Sequence, residues 1–225
     1  MPVITFLSPK GGVGKTTTAL LLAIELAAAG SSVVIIDADP NFPLSKWATL
    51  PNKPENIEVV QEIDEEAIID TIDAAQRRAT YVIVDLEGRA SARVTNALLM
   101  THLALVPMQG SVLDSDQAAR AFQSIRRAST AARREIAFAA VYTRTPASAR
   151  IRSRVAQGIA DQVEGAGITA LATAISERTA FKSLFALGGT LATMNPAQVS
   201  SLDSAKANAA AFAADVVAFL KGPTA

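Results

Sequence analysis

Pro9-Lys10-Gly11-Gly12-Val13-Gly14-Lys15-Thr16-Thr17 follows a short apolar run, Val3–Leu7, and opens a longer one closed by Gly30. Glycines at three of these nine positions let successive backbone N–H groups curl around one point. The start of the helix that follows adds its partial positive charge, so the turn is suited to a phosphate group. In this arrangement Lys15 reaches the β- and γ-phosphates of a nucleotide, and the Thr16 hydroxyl ligates Mg²⁺. The phosphate-contacting set is Gly11, Gly12, Val13, Gly14, Lys15, Thr16 and Thr17. The strict pattern G-x-x-x-x-G-K-[ST] is met everywhere except at its first position, where Pro9 stands.

Working outward, short β-branched runs alternate with longer helix-like stretches. Val3–Leu7, Val33–Ile36, Tyr81–Val84, Leu103–Val106 and Ile136–Val141 are continuous apolar segments, which predicts parallel strands covered on both faces. Ile168–Ile175 reads as a further strand. Between them, Lys15–Ala29, Glu65–Arg78, Arg93–Met100, Ser115–Arg134 and Arg152–Glu164 read as helices, with Ala205–Leu220 closing the chain and Pro43–Pro54 as a polar loop. This alternation predicts one α/β domain over residues 1–225, a doubly wound, mostly parallel sheet with helices on both faces.

Composition narrows the chemistry. The 225 residues are 50% hydrophobic and 19% charged, which excludes global disorder. Lys+Arg and Asp+Glu are 21 each, so a globally basic nucleic-acid binder is excluded, although a local basic patch is not. With no cysteine, disulfides, thiolate zinc sites and thiol catalysis are excluded, and a single histidine, His102, argues against a Ser-His triad. His102 reads as structural, and Trp47 with Phe42 as a packing anchor. No export signal or membrane span is visible at the N-terminus, so a cytoplasmic location is expected.

Two further carboxylate motifs end apolar runs. Asp37-Ala38-Asp39-Pro40 follows Ile35-Ile36, and Asp85 follows Tyr81–Val84. A carboxylate at the end of a buried strand is costly without a cation or hydrogen bonds, and Mg²⁺ held through water supplies such a partner.

Lys10-Gly11-Gly12-Val13-Gly14-Lys15-Thr16-Thr17 resembles the deviant Walker A motif of the ParA/MinD family of P-loop NTPases. Pro9 makes it similar to the small ParF-type partition ATPases and the related virulence-plasmid T-DNA ATPases. The resemblance implies ATP and Mg²⁺ as cofactors and a catalytic set of Lys10, Lys15 and Asp39. Lys10 is implied to reach the partner's nucleotide in an ATP-bound homodimer, and Asp39 to position the attacking water. Thr16, Asp37 and Asp85 are implied around the metal. Asn41 stands where the family usually has Gln, and Leu86-Glu87-Gly88-Arg89 departs from the family's common Thr-Pro-Pro. Glu87 is open to two readings, a switch residue or a solvated one. Val106–Asp114 resembles the family's segment leading into the next helix, where Asp114 with Gln117 also fits a plain capping box. Arg144 resembles a position near the adenine.

Charge is unevenly placed. Pro54–Gln76 holds eight acidic residues and no basic one, whereas Arg120–Arg154 holds nine arginines and one acid, Glu135. Arg120, Arg127 and Arg134 are seven apart and form a stripe on the expected helix, and Arg150, Arg152 and Arg154 form a second cluster. A solvated face is one reading. The family resemblance favours contact of these six arginines with non-specific DNA. It further implies a nucleoid-associated protein whose hydrolysis is stimulated by a small DNA-binding or cargo adaptor protein, with no membrane partner. The competing expectations are a metabolic P-loop enzyme and a MinD-like membrane-positioned regulator. The C-terminal helix lacks the basic face that the latter requires.

Overall fold

A computed structural model describes residues 1–110, 112–146, 158, 165 and 167–222, with residues 112–117 described by their backbone only. Its elements run β1 (Val3–Phe6), α1 (Lys15–Ala28), β2 (Val33–Ala38), α2 (Pro43–Ala48), β3 (Ile57–Gln61), α3 (Ala67–Gln76), β4 (Tyr81–Leu86), α4 (Ala92–Met100), β5 (Leu103–Met108), α5 (Val112–Ala132), β6 (Ala137–Thr145), β7 (Ile175–Ser176), α6 (Thr179–Leu187) and α7 (Leu202–Lys221).

The strands form one parallel sheet in the order β3-β2-β4-β1-β5-β6-β7. Alternate side chains enter two separate cores. Ile4, Phe6, Ile35, Ile83 and Leu105 pack with α1, α2, α6 and α7, whereas Val3, Val34, Ile36, Val82, Val84 and Val106 pack with α3, α4 and α5. Burial on both faces explains why the strand sequences are unbroken apolar runs. Helix α1 is buried almost all round, from Thr18 to Ile24, because it is held between the sheet and α7. From β4 the chain crosses to β5 on the far side of β1. The turn after β1 therefore emerges at the carboxyl edge, between strands of opposite winding, where open α/β sheets place their ligands.

The expected doubly wound sheet is present, with three additions. Edge strand β3 was not read from the sequence because Ile57-Glu58-Val59-Val60-Gln61 is half exposed and lies in the acidic segment. Pro43–Pro54 is not a plain loop: Pro43 starts the one-and-a-half turns of α2, and Leu44 and Trp47, three apart, are buried by it. Helix α6 was also unread. The expected strand Ile168–Ile175 is reduced to a bridge from Ala170 to Ala140, followed by β7. The expected helix Arg152–Glu164 lies outside the described residues. In the C-terminal helix Phe212 and Val216 are buried, and Phe219 and Leu220 pack against the same core. Among the described residues no helix is long and apolar enough to cross a membrane.

Trp47 is a packing anchor, as expected. It is 1% exposed, and its indole N–H donates to the Gly189 carbonyl at 3.2 Å. The neighbouring Gly188 has φ of 77°, and a Cβ there would lie 2.5 Å from Leu50 Cβ. Trp47→Ala is expected to lower the unfolding free energy by about 3–5 kcal/mol, measured by urea titration. Gly188→Ala is expected to destabilise through both clash and backbone strain.

Candidate functional site

The turn after β1 is shaped by Gly12 and Gly14, whose φ values of 75° and 93° lie in the left-handed region. Gly14 caps α1 without a side chain, and its carbonyl accepts from both the N–H and the hydroxyl of Thr18, at 2.9 and 2.7 Å. From β6, the buried Thr143 hydroxyl lies 2.6 Å from the Val13 carbonyl and 3.2 Å from that of Met108, which fixes the turn against the sheet. A Cβ on Gly14 would sit 3.6 Å from Thr143 Cβ. No acidic residue occupies the first turn of α1, so the helix start keeps its positive end for an anion.

Lys15, Thr16 and Asp85 meet here. Lys15 Nζ donates to Asp85 Oδ1 at 2.6 Å, and the Thr16 hydroxyl donates to Asp85 Oδ2 at 2.7 Å. Asp85 is fully buried, and burial pushes its carboxyl above the ordinary range against the opposing pull of Lys15 and the two hydrogen bonds. Asp37 is its direct register partner on β2. Asp37 is also fully buried: Oδ2 accepts from Ser45 N at 2.7 Å, and Oδ1 has no hydrogen-bond partner. Burial, seconded by the charge of Asp85, raises the Asp37 carboxyl as well. Two raised carboxyls side by side, one with an orphaned oxygen, next to a threonine hydroxyl, fit a hard cation. Among the described residues no group of three or more His, Cys, Asp or Glu forms a metal cage by itself. Thr16 and phosphate oxygens would therefore complete the ligand set.

Asp39 is half-buried, and its Oδ1 accepts from Asn41 N and Nδ2 at 2.9 and 3.0 Å. The Asp39 carbonyl also accepts from Phe42 N. Asp39 thus builds the turn into α2 while its charge bears on Asp85. Lys10 is half-exposed at the start of the phosphate turn, with its N–H 3.4 Å from Ser8 Oγ. Arg144, in the left-handed region at φ 52°, lines a cleft with Gly14, Thr17, Glu177 and Arg178. No sequence motif marks Glu177 and Arg178, which lie beside Arg144 in this cleft.

Glu87 is not solvated. It pairs with Arg93 at 2.5 Å, with side chains 16% and 8% exposed. The arginines expected to touch DNA divide. Arg134 donates to the Leu99 carbonyl at 2.7 Å at the end of α4, so it serves the fold. Arg120 and Arg127 line a cavity of about 600 Å³ between α4 and α5, together with Ser8, Pro9, Glu87 and Gly88. Neither pairs with an acidic side chain among the described residues. Arg150, Arg152 and Arg154 lie outside the described residues, as do the side chains of Asp114 and Gln117. His102 is structural: Nδ1 accepts from Val3 N at 3.1 Å, and burial lowers its pKa.

Residues 1–221 match the family described as VirC1 protein. The chain is 39% identical over 213 residues to Protein ParA of Rhizobium radiobacter, covering 95% of each. Two solved structures share the fold. MinD of Pyrococcus horikoshii with Mg-ADP superposes with a TM-score of 0.73 at 18% identity, covering 99% of both chains. A McdA–ATP complex from Cyanothece gives 0.74 at 16% identity, covering 96% of both.

Removing Lys15 leaves Asp85 buried without its cation. Lys15→Ala is expected to cost about 3–5 kcal/mol of stability, and Lys15→Ala/Asp85→Asn to regain most of it, by chemical denaturation. For Asp37 the raised folded pKa means that the folded state holds its proton more tightly than the unfolded state. Its contribution to stability is complete below the ordinary carboxylate pKa and is lost as pH rises through the raised one. Asp37→Asn should therefore match wild type at acidic pH and gain on it as pH rises to neutrality, in thermal melts without divalent cation.

Proposed function

The chain belongs to the VirC1 protein family, among the ATPases of ParA/MinD type, and from that membership we propose that it binds Mg-ATP on the turn Pro9–Thr17 and uses its hydrolysis to position a cargo on DNA. The observation that carries this reading is the convergence of Lys15, Thr16, Asp85 and Asp37 at the start of α1. The glycine-rich backbone and the helix start hold the phosphates, and Lys15 transfers from Asp85 to the β- and γ-phosphate oxygens. Mg²⁺ supplies neutralisation of phosphate charge, with Thr16 as ligand and Asp37 and Asp85 holding its water shell. Asp39, one residue beyond β2, orients the attacking water. Arg144, Glu177 and Arg178 border the base.

Lys10, at the exposed start of the turn, acts on the nucleotide of a second copy, so the ATP-bound form is a homodimer. Arg120 and Arg127, unpaired among the described acids, meet DNA phosphates without sequence preference, and Arg150, Arg152 and Arg154 extend that contact. Arg134 contributes less, because its guanidinium already serves the Leu99 carbonyl. A small DNA-binding or cargo adaptor protein stimulates hydrolysis and releases the dimer from the nucleoid.

The test is a sizing and DNA-retention series with ATP and with ADP. Wild type is expected to dimerise and bind random-sequence duplex with ATP and Mg²⁺ only. Each phosphate contacted contributes about −0.9 to the slope of log affinity against log salt. Lys10→Ala should still bind ADP yet stay monomeric with ATP, and Arg120→Glu/Arg127→Glu should dimerise yet lose DNA. A Lys10→Ala dimer as stable as wild type overturns the cross-subunit role, and undiminished DNA binding by the arginine variant overturns the proposed DNA face.

A further inference from the structure

The loop after β4 departs from the family's common sequence, and its side chains take an arrangement that the reading above does not use. Arg93 lies in the first turn of α4, where a cation opposes the helix dipole, and it is buried. A buried guanidinium in that place is costly unless its charge is met. Glu87 meets it: Nη2 donates to Glu87 Oε1 at 2.5 Å. Nη1 donates to the Ile63 carbonyl in the connection after β3, and Nε is buried without a partner. Asn96, one turn further along α4, donates to the Glu65 carbonyl at 2.7 Å, so α4 is tied to the same connection twice. Glu87 is thereby anchored to a helix that is itself anchored.

The next residue carries this restraint to the phosphate turn. A Cβ on Gly88 would stand 3.4 Å from the Ser8 carbonyl oxygen, 3.7 Å from that of Pro9 and 3.9 Å from Gly11 N. Three residues beyond buried Asp85, the loop backbone therefore lies directly against the segment that carries Lys10. We infer that Arg93 is a positioning residue for ATP hydrolysis: through its ion pair with Glu87 it presses Gly88 against Ser8–Gly11 and sets the placement of Lys10. The role rests on the ATPase reading. It concerns turnover more than nucleotide affinity, because Gly11 is the one member of the phosphate-contacting set that borders Gly88, whereas Val13 is held by Thr143 and both Lys15 and Thr16 by Asp85.

The test is steady-state ATP hydrolysis by wild type, Arg93→Gln, Glu87→Gln, the double variant and Arg93→Lys, with ADP affinity and thermal midpoint measured on each. Wild type should turn over ATP. Each single glutamine variant should lose about tenfold in kcat with KM and ADP affinity held, since small misplacements of reacting groups cost on this scale. The double variant should be no slower than the slower single one, because the pair acts as a unit. Arg93→Lys, which keeps a charge for Glu87, should recover part of the loss. If Arg93→Gln does not fold, Glu87→Gln and Arg93→Lys carry the comparison. Folded variants that retain wild-type kcat, or whose KM rises in step with any loss, overturn the positioning role while leaving the ATPase reading in place. Absence of turnover by wild type removes both.

Discussion

A carboxylate with no exposure to water sits at the end of a central strand, and the site is arranged around keeping it satisfied. Asp85 is there because β4 carries it to the carboxyl edge between β1 and β2. It is tolerable because Lys15 and Thr16, adjacent at the start of α1, reach both of its oxygens. Those two side chains are aimed by the left-handed glycines of the turn, and the turn is held by Thr143 from β6. The same groups that stabilise the carboxylate are those assigned to the nucleotide in the proposed function. In the proposed reading, binding would be an exchange of partners at a desolvated point, with a phosphate replacing a carboxylate rather than a charge entering an empty pocket.

How far this was legible in the sequence depends on what kind of constraint each residue obeys. The phosphate turn and the central strands could be read because their requirements are local: glycine where φ is positive, and unbroken apolar runs where both faces are covered. Asp37 and Asp85 could be read because a charge that ends such a run needs a reason. Strand β3 could not, since it lies at the sheet edge and Glu58 and Gln61, three apart, break both the apolar run and any alternation. Helix α2 was hidden by its proline and its brevity, although the spacing of Leu44 and Trp47 is helical. Glu177 and Arg178 join the cleft only because β7 docks on β6, a pairing no periodicity announces.

Charge counting misleads for a related reason. Nine arginines between Arg120 and Arg154 look like one surface in the sequence. In the fold Arg134 ends α4 at the Leu99 carbonyl and Arg126 stacks over the Phe138 ring at 5.9 Å, while Arg120 and Arg127 turn toward the loop after β4. The acidic segment is likewise partly spent nearby, with Glu58 on Arg78 and Asp73 on Arg77. Arg93, outside the cluster, is the most deeply buried arginine among the described residues, and burial rather than number decides what a guanidinium does.

The strand order has a further consequence for the birth of the protein. β1 pairs with Val82–Asp85 on one side and Leu103–Leu105 on the other, and with no strand nearer in sequence. Ile4 and Phe6 can pack on α1 early, but their sheet neighbours leave the ribosome only with β4 and β5. The side chains that hold the phosphate turn from outside, Thr143 and Asp85, are likewise distant in sequence, and such topologies assemble slowly and expose unpaired strand in the interval. A segment on which the site depends thus stays an unpaired strand until β4 and β5 have emerged, and in that interval it is open to mispairing.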